Sequence, residues 1–288
     1  MTNATQPLAK RIAIVFDFDD TLVPNTYNLL LEDLGFDADR YIKECYEVRK
    51  AAGWDGIPAR FFGLVETSKK RAAEEKITQT YLQRFGQRLQ PFEGVIDMFG
   101  HLRQHAAALA PDVEVTFYLV TSGFAEVARH SAVAPYFQNI WGCEFHYADD
   151  GEVACLKRSL TYPEKPRYLY AISKGVTDAS QPDLLFAYED IPPAELAVPL
   201  SQMIYVGDGT SDIPCFAMLN REGGIPIAVY PEGTPQDWAK TYQPTPGQRV
   251  ITIAPADYRP GSALMKALTF AVEGICKTIQ MQTLGQPA

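Results

Sequence analysis

Asp17, Asp19 and Asp20 crowd into one hexapeptide, Phe16-Asp17-Phe18-Asp19-Asp20-Thr21. Like charges that close are costly unless a cation, protons or hydrogen bonds offset them. A hard divalent ion such as Mg²⁺, which prefers carboxylate oxygens, is the simplest remedy. The hexapeptide follows Arg11-Ile12-Ala13-Ile14-Val15, an apolar, β-branched run that reads as a buried parallel strand. Ligands of open α/β sheets bind just outside such strand ends. Two other polar groups stand in the same relation to apolar runs. Thr121-Ser122-Gly123 closes Val113 to Val120, and Gly207-Asp208-Gly209-Thr210-Ser211-Asp212 follows Met203 to Val206. With the strands parallel, one rim collects Asp17, Asp19, Asp20, Ser122 with Thr121, Asp208 and Asp212. Each short motif is weak alone. An aspartate at a strand end also serves as a turn former or helix cap, Asp212 most readily. Joint placement at three strand ends is what carries the argument.

The elements that position these residues follow from periodicity. After Thr21 the pattern turns helical. Tyr27, Leu30, Leu31 and Leu34 share one face before Gly35, and Tyr41, Ile42, Cys45 and Val48 share another before Gly53. Pro58 to about Lys76 and Thr78 to Gln90 give two further helices, with no strand between Pro24 and Gln90. Residues 24–90 therefore read as a small inserted helical domain, and residues 1–23 with 91–288 as a discontinuous core. In the core, a helix bearing Val95, Met98, Phe99 and Leu102 precedes the strand Val113 to Val120, and a helix over Phe124 to Ala132 follows it. Ile140 to Ala148 and Glu152 to Leu156, joined through Asp150-Gly151, form a β-hairpin. Pro166 opens a helix that Gly175 stops. Thr177 to Leu200, with four prolines, reads as loops. Ile225 to Tyr230 and Val250 to Ile253 read as strands, and a long amphipathic helix capped by Ser262 follows. This alternation predicts a Rossmann-like, doubly wound α/β fold with a parallel sheet covered on both faces.

Composition limits the function. The 288 residues are 47% hydrophobic and 21% charged, with a net charge of −9. The acidic balance argues against non-specific binding to nucleic acid or an anionic membrane. No segment reaches the length of a membrane span. Cys45, Cys143, Cys155, Cys215 and Cys276 are scattered without a C-x-x-C pair, so they read as buried free thiols of a cytoplasmic protein. His101, His105, His130 and His146 have no metal-ligand spacing. The aromatic and basic residues of the insertion, Arg60 and Tyr27 among them, read as helical core and solvated charge.

Phe16-Asp17-Phe18-Asp19-Asp20-Thr21-Leu22, Val120-Thr121-Ser122-Gly123 and Val206-Gly207-Asp208-Gly209-Thr210-Ser211-Asp212 resemble the first, second and fourth motifs of the haloacid dehalogenase superfamily. Within it, the match is to phosphatases with a helical cap after the first motif, such as phosphoserine phosphatases. The resemblance implies that Asp17 is the nucleophile, forming an aspartyl-phosphate, and that Asp19 is the general acid and base. It implies Mg²⁺ held by Asp17, by the main-chain carbonyl of Asp19 and by Asp208, with Asp212 behind. Ser122, Gly123 and a lysine would bind the phosphoryl group. Three lysines compete for that place. Lys157 lies in the hairpin, and Lys174 suits an ordinary helix C-terminus. Lys165 precedes Pro166 at a helix N-terminus, where a cation is unfavourable without an anionic partner, and it is preferred. Where the phosphoserine phosphatases carry a glutamate for the substrate ammonium, this chain has Thr26, with Glu32 the nearest acid.

The expected activity is Mg²⁺-dependent hydrolysis of a small phosphorylated metabolite, with a homo-oligomer possible in principle. A phosphotransferase or phosphomutase, and a non-catalytic metal- and phosphate-binding regulator, are the alternatives on the same fold.

Overall fold

The computed structural model describes residues 9–175, 191–192, 195–231 and 250–284. Most of the expected loop Thr177 to Leu200 lies outside the described residues. Seven strands form one sheet: β1 (Arg11–Phe16), β2 (Glu114–Phe124), β3 (Asn139–Tyr147), β4 (Val153–Arg158), β5 (Met203–Gly207), β6 (Ile225–Tyr230) and β7 (Thr252–Pro255). Their order is β4-β3-β2-β1-β5-β6-β7, parallel except for the β3–β4 hairpin. The strand carrying the acidic hexapeptide is central, and Ile12 to Phe16 are wholly buried. That is the environment a continuous apolar run demands.

The inserted helices are α1 (Thr26–Asp33), α2 (Ala38–Tyr41), α3 (Glu47–Ala51), α4 (Gly56–Lys69) and α5 (Gln79–Arg88), with a π-helical turn, Ile42–Tyr46, joining α2 to α3. The others are α6 (Val95–Leu109), α7 (Ala125–Arg129), α8 (Lys165–Ser173), α9 (Ile213–Glu222) and α10 (Ala263–Leu284). Local chemistry starts several of them. Asn25 and Thr78 accept from the amides of Asn28 and Tyr81, and Ser262 caps α10 through the Met265 amide at 3.1 Å.

Four elements differ from expectation in their bounds, each through a tertiary contact. The strand expected to stop at Val120 runs on to Phe124, because Phe124 pairs with Cys143 of β3 across a bulge. The helix expected from Phe124 accordingly starts one residue later and stops at Arg129. The third inserted helix ends at Lys69 rather than near Lys76. There the chain turns back, the Ser68 hydroxyl takes the Ile77 amide at 3.0 Å, and Thr78 bridges to Glu152. The last strand is displaced by two residues, since Thr252 sits opposite Ile227. Two of the five thiols are not buried: Cys155 is exposed and Cys45 half-buried.

Among the places where the insertion packs on the core, two fit closely. The hairpin turn meets the segment before α5, where Val153 donates to the Ile77 carbonyl at 3.0 Å and Gln79 to the Gly151 carbonyl at 2.9 Å. Beneath it, the Phe61 ring of α4 lies 4.5 Å from Phe145 and 5.1 Å from Phe124. The second place is α5 on α7. A Cβ on Gly86 would come within 2.4 Å of the Val127 carbonyl oxygen, so the helices meet backbone to backbone.

Gly86→Ala must therefore push α5 off α7. A loss of about 1–3 kcal/mol is expected in urea unfolding. An unchanged midpoint would show that α5 is free to lift away.

Candidate active site

The carboxyl ends of β1, β2 and β5 lie side by side and bring the three motifs together. One carboxylate oxygen from each of Asp17, Asp208 and Asp212 lies within 4.8 Å of the others. Lys165, the first residue of α8, reaches into this cluster. Its Nζ lies 3.0 Å from Asp17 Oδ2, 2.7 Å from Asp212 Oδ1 and 3.2 Å from Ser211 Oγ. All three ammonium protons thus have acceptors, and the side chain is wholly buried. Lys157 is exposed on β4, and Lys174 follows the far end of α8. Of the three candidate lysines, Lys165 is the one among the carboxylates. The 3-10 turn Tyr162–Glu164 that leads into α8 opens on a capping box, in which Glu164 Oε2 accepts from the Thr161 amide at 2.8 Å. The unfavourable dipole at that end is outweighed by the two aspartates.

Asp212 stands at the N-cap position of α9 yet makes no side-chain capping bond. Its Oδ1 accepts from Lys165 and from the Tyr205 hydroxyl at 2.6 Å, and its Oδ2 from the Gly209 amide at 3.3 Å. This orientation requires Gly207, where a Cβ would sit 2.4 Å from Asp212 Oδ2. Asp17 is tied to the sheet by its amide, which donates to the Val206 carbonyl at 2.9 Å, and its Oδ1 accepts from the Phe18 amide at 2.8 Å.

Burial pushes the Asp17 carboxyl up to about 7, with Lys165 opposing and Asp212 and Asp19 adding to the rise. Burial, then Asp212, Asp17 and Asp20, raise the partly exposed Asp208 well above the carboxylate range, again against Lys165. Burial would lower the Lys165 ammonium, but Asp17 and Asp212 more than offset it and hold it above the ordinary lysine value. Three carboxylates thus face one ammonium. The uncompensated charge and the all-oxygen donor set fit a divalent cation of the Mg²⁺ type.

Asp19 is in the site without joining that cluster. Its Oδ1 accepts from the Thr26 amide at 2.7 Å, and its Oδ2 lies where a Cβ on Gly123 would be 2.4 Å away. Any metal contact from Asp19 falls to its main-chain carbonyl. Asp20 is a turn residue: its φ is +53°, and its Oδ2 accepts from Asn25 Nδ2 at 3.0 Å. Ser122 is carried on the bulge in β2, a device that re-aims side chains beside active sites. Its hydroxyl is buried with no hydrogen-bond partner, the condition of a group awaiting an acceptor from a ligand. Glu32 is exposed and takes no part.

One residue beside the cluster, Tyr205, escaped the sequence reading, and another, Arg60, read there as solvated charge. Tyr205 looked like one more apolar strand residue, and only its hydroxyl, which a buried tyrosine must satisfy, hinted otherwise. Arg60 lies over the rings of Tyr27 and Tyr46, 4.7 and 6.0 Å from their centroids, with its Nε unpartnered. It shares the neighbourhood of Cys143, whose thiol is pushed up to about 11 by burial and feels both Arg60 and Lys165. Cys143 Sγ is 3.4 Å from the Ser122 carbonyl, so this thiol adjoins the motif of β2.

No protein-family model matches the chain. An uncharacterised protein of Borreliella burgdorferi is 25% identical over 292 positions, covering 93% of this chain and 98% of that one. A hydrolase of the HAD family from Salmonella enterica superposes with a TM-score of 0.55 at 14% identity, over 81% of this chain and 66% of the other. A substrate-bound phosphoserine phosphatase gives 0.56 at 15% identity, over 90% of this chain and 98% of that one. A probable phosphoserine phosphatase from Vibrio cholerae gives 0.56 at 11%, over 97% and 69%. At such identities the likeness is one of fold. The chain has the haloacid dehalogenase fold, a Rossmann-like α/β core with helices between its first two strands.

Proposed function

We propose that this protein is a Mg²⁺-dependent phosphatase that hydrolyses a small phosphorylated metabolite through an aspartyl-phosphate on Asp17. One observation carries the reading. A wholly buried ammonium, Lys165, bridges Asp17 and Asp212 beside Asp208, at strand ends that also hold Asp19 and an unpartnered Ser122 hydroxyl. An inert core has no use for so many charged and orphaned groups.

In this reading Asp17 attacks phosphorus while its other contacts hold it still. Asp19 Oδ1 is occupied by the Thr26 amide, so Oδ2, beside Gly123, carries the proton to the leaving oxygen. The same oxygen then takes a proton from the water that cleaves the aspartyl-phosphate. The Ser122 hydroxyl donates to a non-bridging phosphoryl oxygen. Lys165 balances the carboxylates, so that Asp17 stays ionised for attack. Asp17, Asp208 and the Asp19 carbonyl, with Asp212 behind, would hold Mg²⁺, which would supply positive charge to offset a dianionic substrate in an anionic site. Residues 24–90 serve as a cap excluding water. Among the described residues no helix is long and apolar enough to cross a membrane, and the free thiols suit a cytoplasmic setting.

Asp17→Asn is expected to abolish Mg²⁺-dependent hydrolysis of p-nitrophenyl phosphate, and Asp19→Asn to lower kcat by about 10²- to 10⁴-fold. Turnover retained in Asp17→Asn would falsify the assignment of the nucleophile. Product analysis with added alcohols separates hydrolysis from phosphoryl transfer.

The raised Asp17 carboxyl gives a second expectation. Its value climbs from 3.8 to about 7 on folding, so the stability it lends the metal-free protein is present below 3.8 and lost as pH rises through about 7. In EDTA, Asp17→Asn should melt above the wild type at pH 8, with the gap narrowing as pH falls toward 4. Mg²⁺ should restore the wild type at pH 8. Equal melting of the two proteins at pH 8 in EDTA would show that Asp17 is not under strain.

A further inference from the structure

Tyr205 has no part in the reaction just described. It lies on β5, three residues before Asp208, and its side chain is wholly buried. Its ring stands edge-on to Phe216 of α9, 5.8 Å between centroids at 78°. Its hydroxyl donates to Asp212 Oδ1 at 2.6 Å, the same oxygen that Lys165 reaches at 2.7 Å.

The two oxygens of Asp212 are therefore unequal. Oδ1 takes two short hydrogen bonds, one from a charged donor. Oδ2 takes a single 3.3 Å contact from the Gly209 amide and lies against Gly207, where no side chain fits. A carboxylate pinned by one oxygen alone can rotate about its Cβ–Cγ bond and trade the two. Two donors converging from different elements, α8 and β5, prevent that trade. The ring contact with Phe216 fixes the tyrosine in turn.

We propose that Tyr205 is a positioning residue for the metal site: by sharing Asp212 Oδ1 with Lys165, it commits Asp212 Oδ2 to the divalent cation. The inference rests on the metal-site reading above and deepens it. Groups that orient a metal ligand in this way typically change affinity by about 10- to 100-fold when removed. A tyrosine kept only to fill the core would show no such effect, because phenylalanine fills the same space.

The test is calorimetric titration of Mg²⁺ into the metal-free full chain at pH 8, for wild type, Tyr205→Phe, Asp212→Asn and the double variant. Tyr205→Phe should raise the Mg²⁺ Kd by about 10- to 100-fold, while changing it little in the Asp212→Asn background. Equal affinity of wild type and Tyr205→Phe would overturn the inference, as would the same fractional loss in both backgrounds. Melting in EDTA confirms that Tyr205→Phe is folded. A wild type that binds Mg²⁺ but hydrolyses no phosphomonoester overturns the phosphatase reading and leaves the role of Tyr205 standing.

Discussion

A buried ammonium that must be matched by buried carboxylates is the constraint from which the centre of this molecule follows. Removing an ion from water costs several kcal/mol even after the protein relaxes. Lys165 is tolerated because each of its protons has an acceptor and two of those acceptors are charged. Meeting that condition fixes other choices. It starts α8 where the lysine can face β1 and β5. It draws Asp212 away from the helix end that its sequence position suggests. It also excludes a side chain at position 207, since the carboxylate occupies that space. The match is incomplete by design of the chain, with more carboxylates than ammonium groups, and the raised carboxyls of Asp17 and Asp208 express the imbalance.

The sheet converts that local balance into a site. Parallel pairing of β1 with both β2 and β5 brings residues more than a hundred positions apart to one rim. Regular pairing alone would leave Ser122 as an ordinary strand residue. The bulge opposite β3 frees it, and Gly142 leaves room for Thr121, whose Cγ2 would otherwise meet a Cβ at 2.9 Å. The insertion is seated on the hairpin turn and on α7, and at the rim itself through the Thr26 amide on Asp19 and Asn25 on Asp20.

How much of this was legible in the sequence depends on whether the signal was local. The strand ends, the inserted helices, the hairpin and the Ser262 cap are local patterns, and each stands in the structure near its expected place. Lys165 was legible for a subtler reason, since a cation at a helix N-terminus needs an outside explanation. The course of β2 through Thr121-Ser122-Gly123 was not, because those residues extend only by pairing with β3. The early end of α4 was equally hidden, being set by Ser68 and the hairpin. Tyr205 and Arg60 carry no pattern at all. A tyrosine in a strand and an arginine on a helix are ordinary, and only their partners distinguish them.

Those partners bear on a position, Thr26, where the resemblance departs from the phosphoserine phosphatases. Thr26 serves the site through its amide, which holds Asp19, while its own hydroxyl is buried without a partner. The next residue, Tyr27, has its hydroxyl raised above the ordinary value by burial and Tyr41, with Arg60 opposing and Cys45 and Tyr46 contributing. No carboxylate figures among the groups that act on it. Arg60 packs over the rings of Tyr27 and Tyr46 on this part of the insertion. Leaving a buried polar group unpaired costs about 1–3 kcal/mol, and Thr26, Tyr27, Arg60 and Ser122 each contribute one such atom. Thr26 therefore works on the site through its main chain, by holding Asp19, and brings no side-chain charge to it.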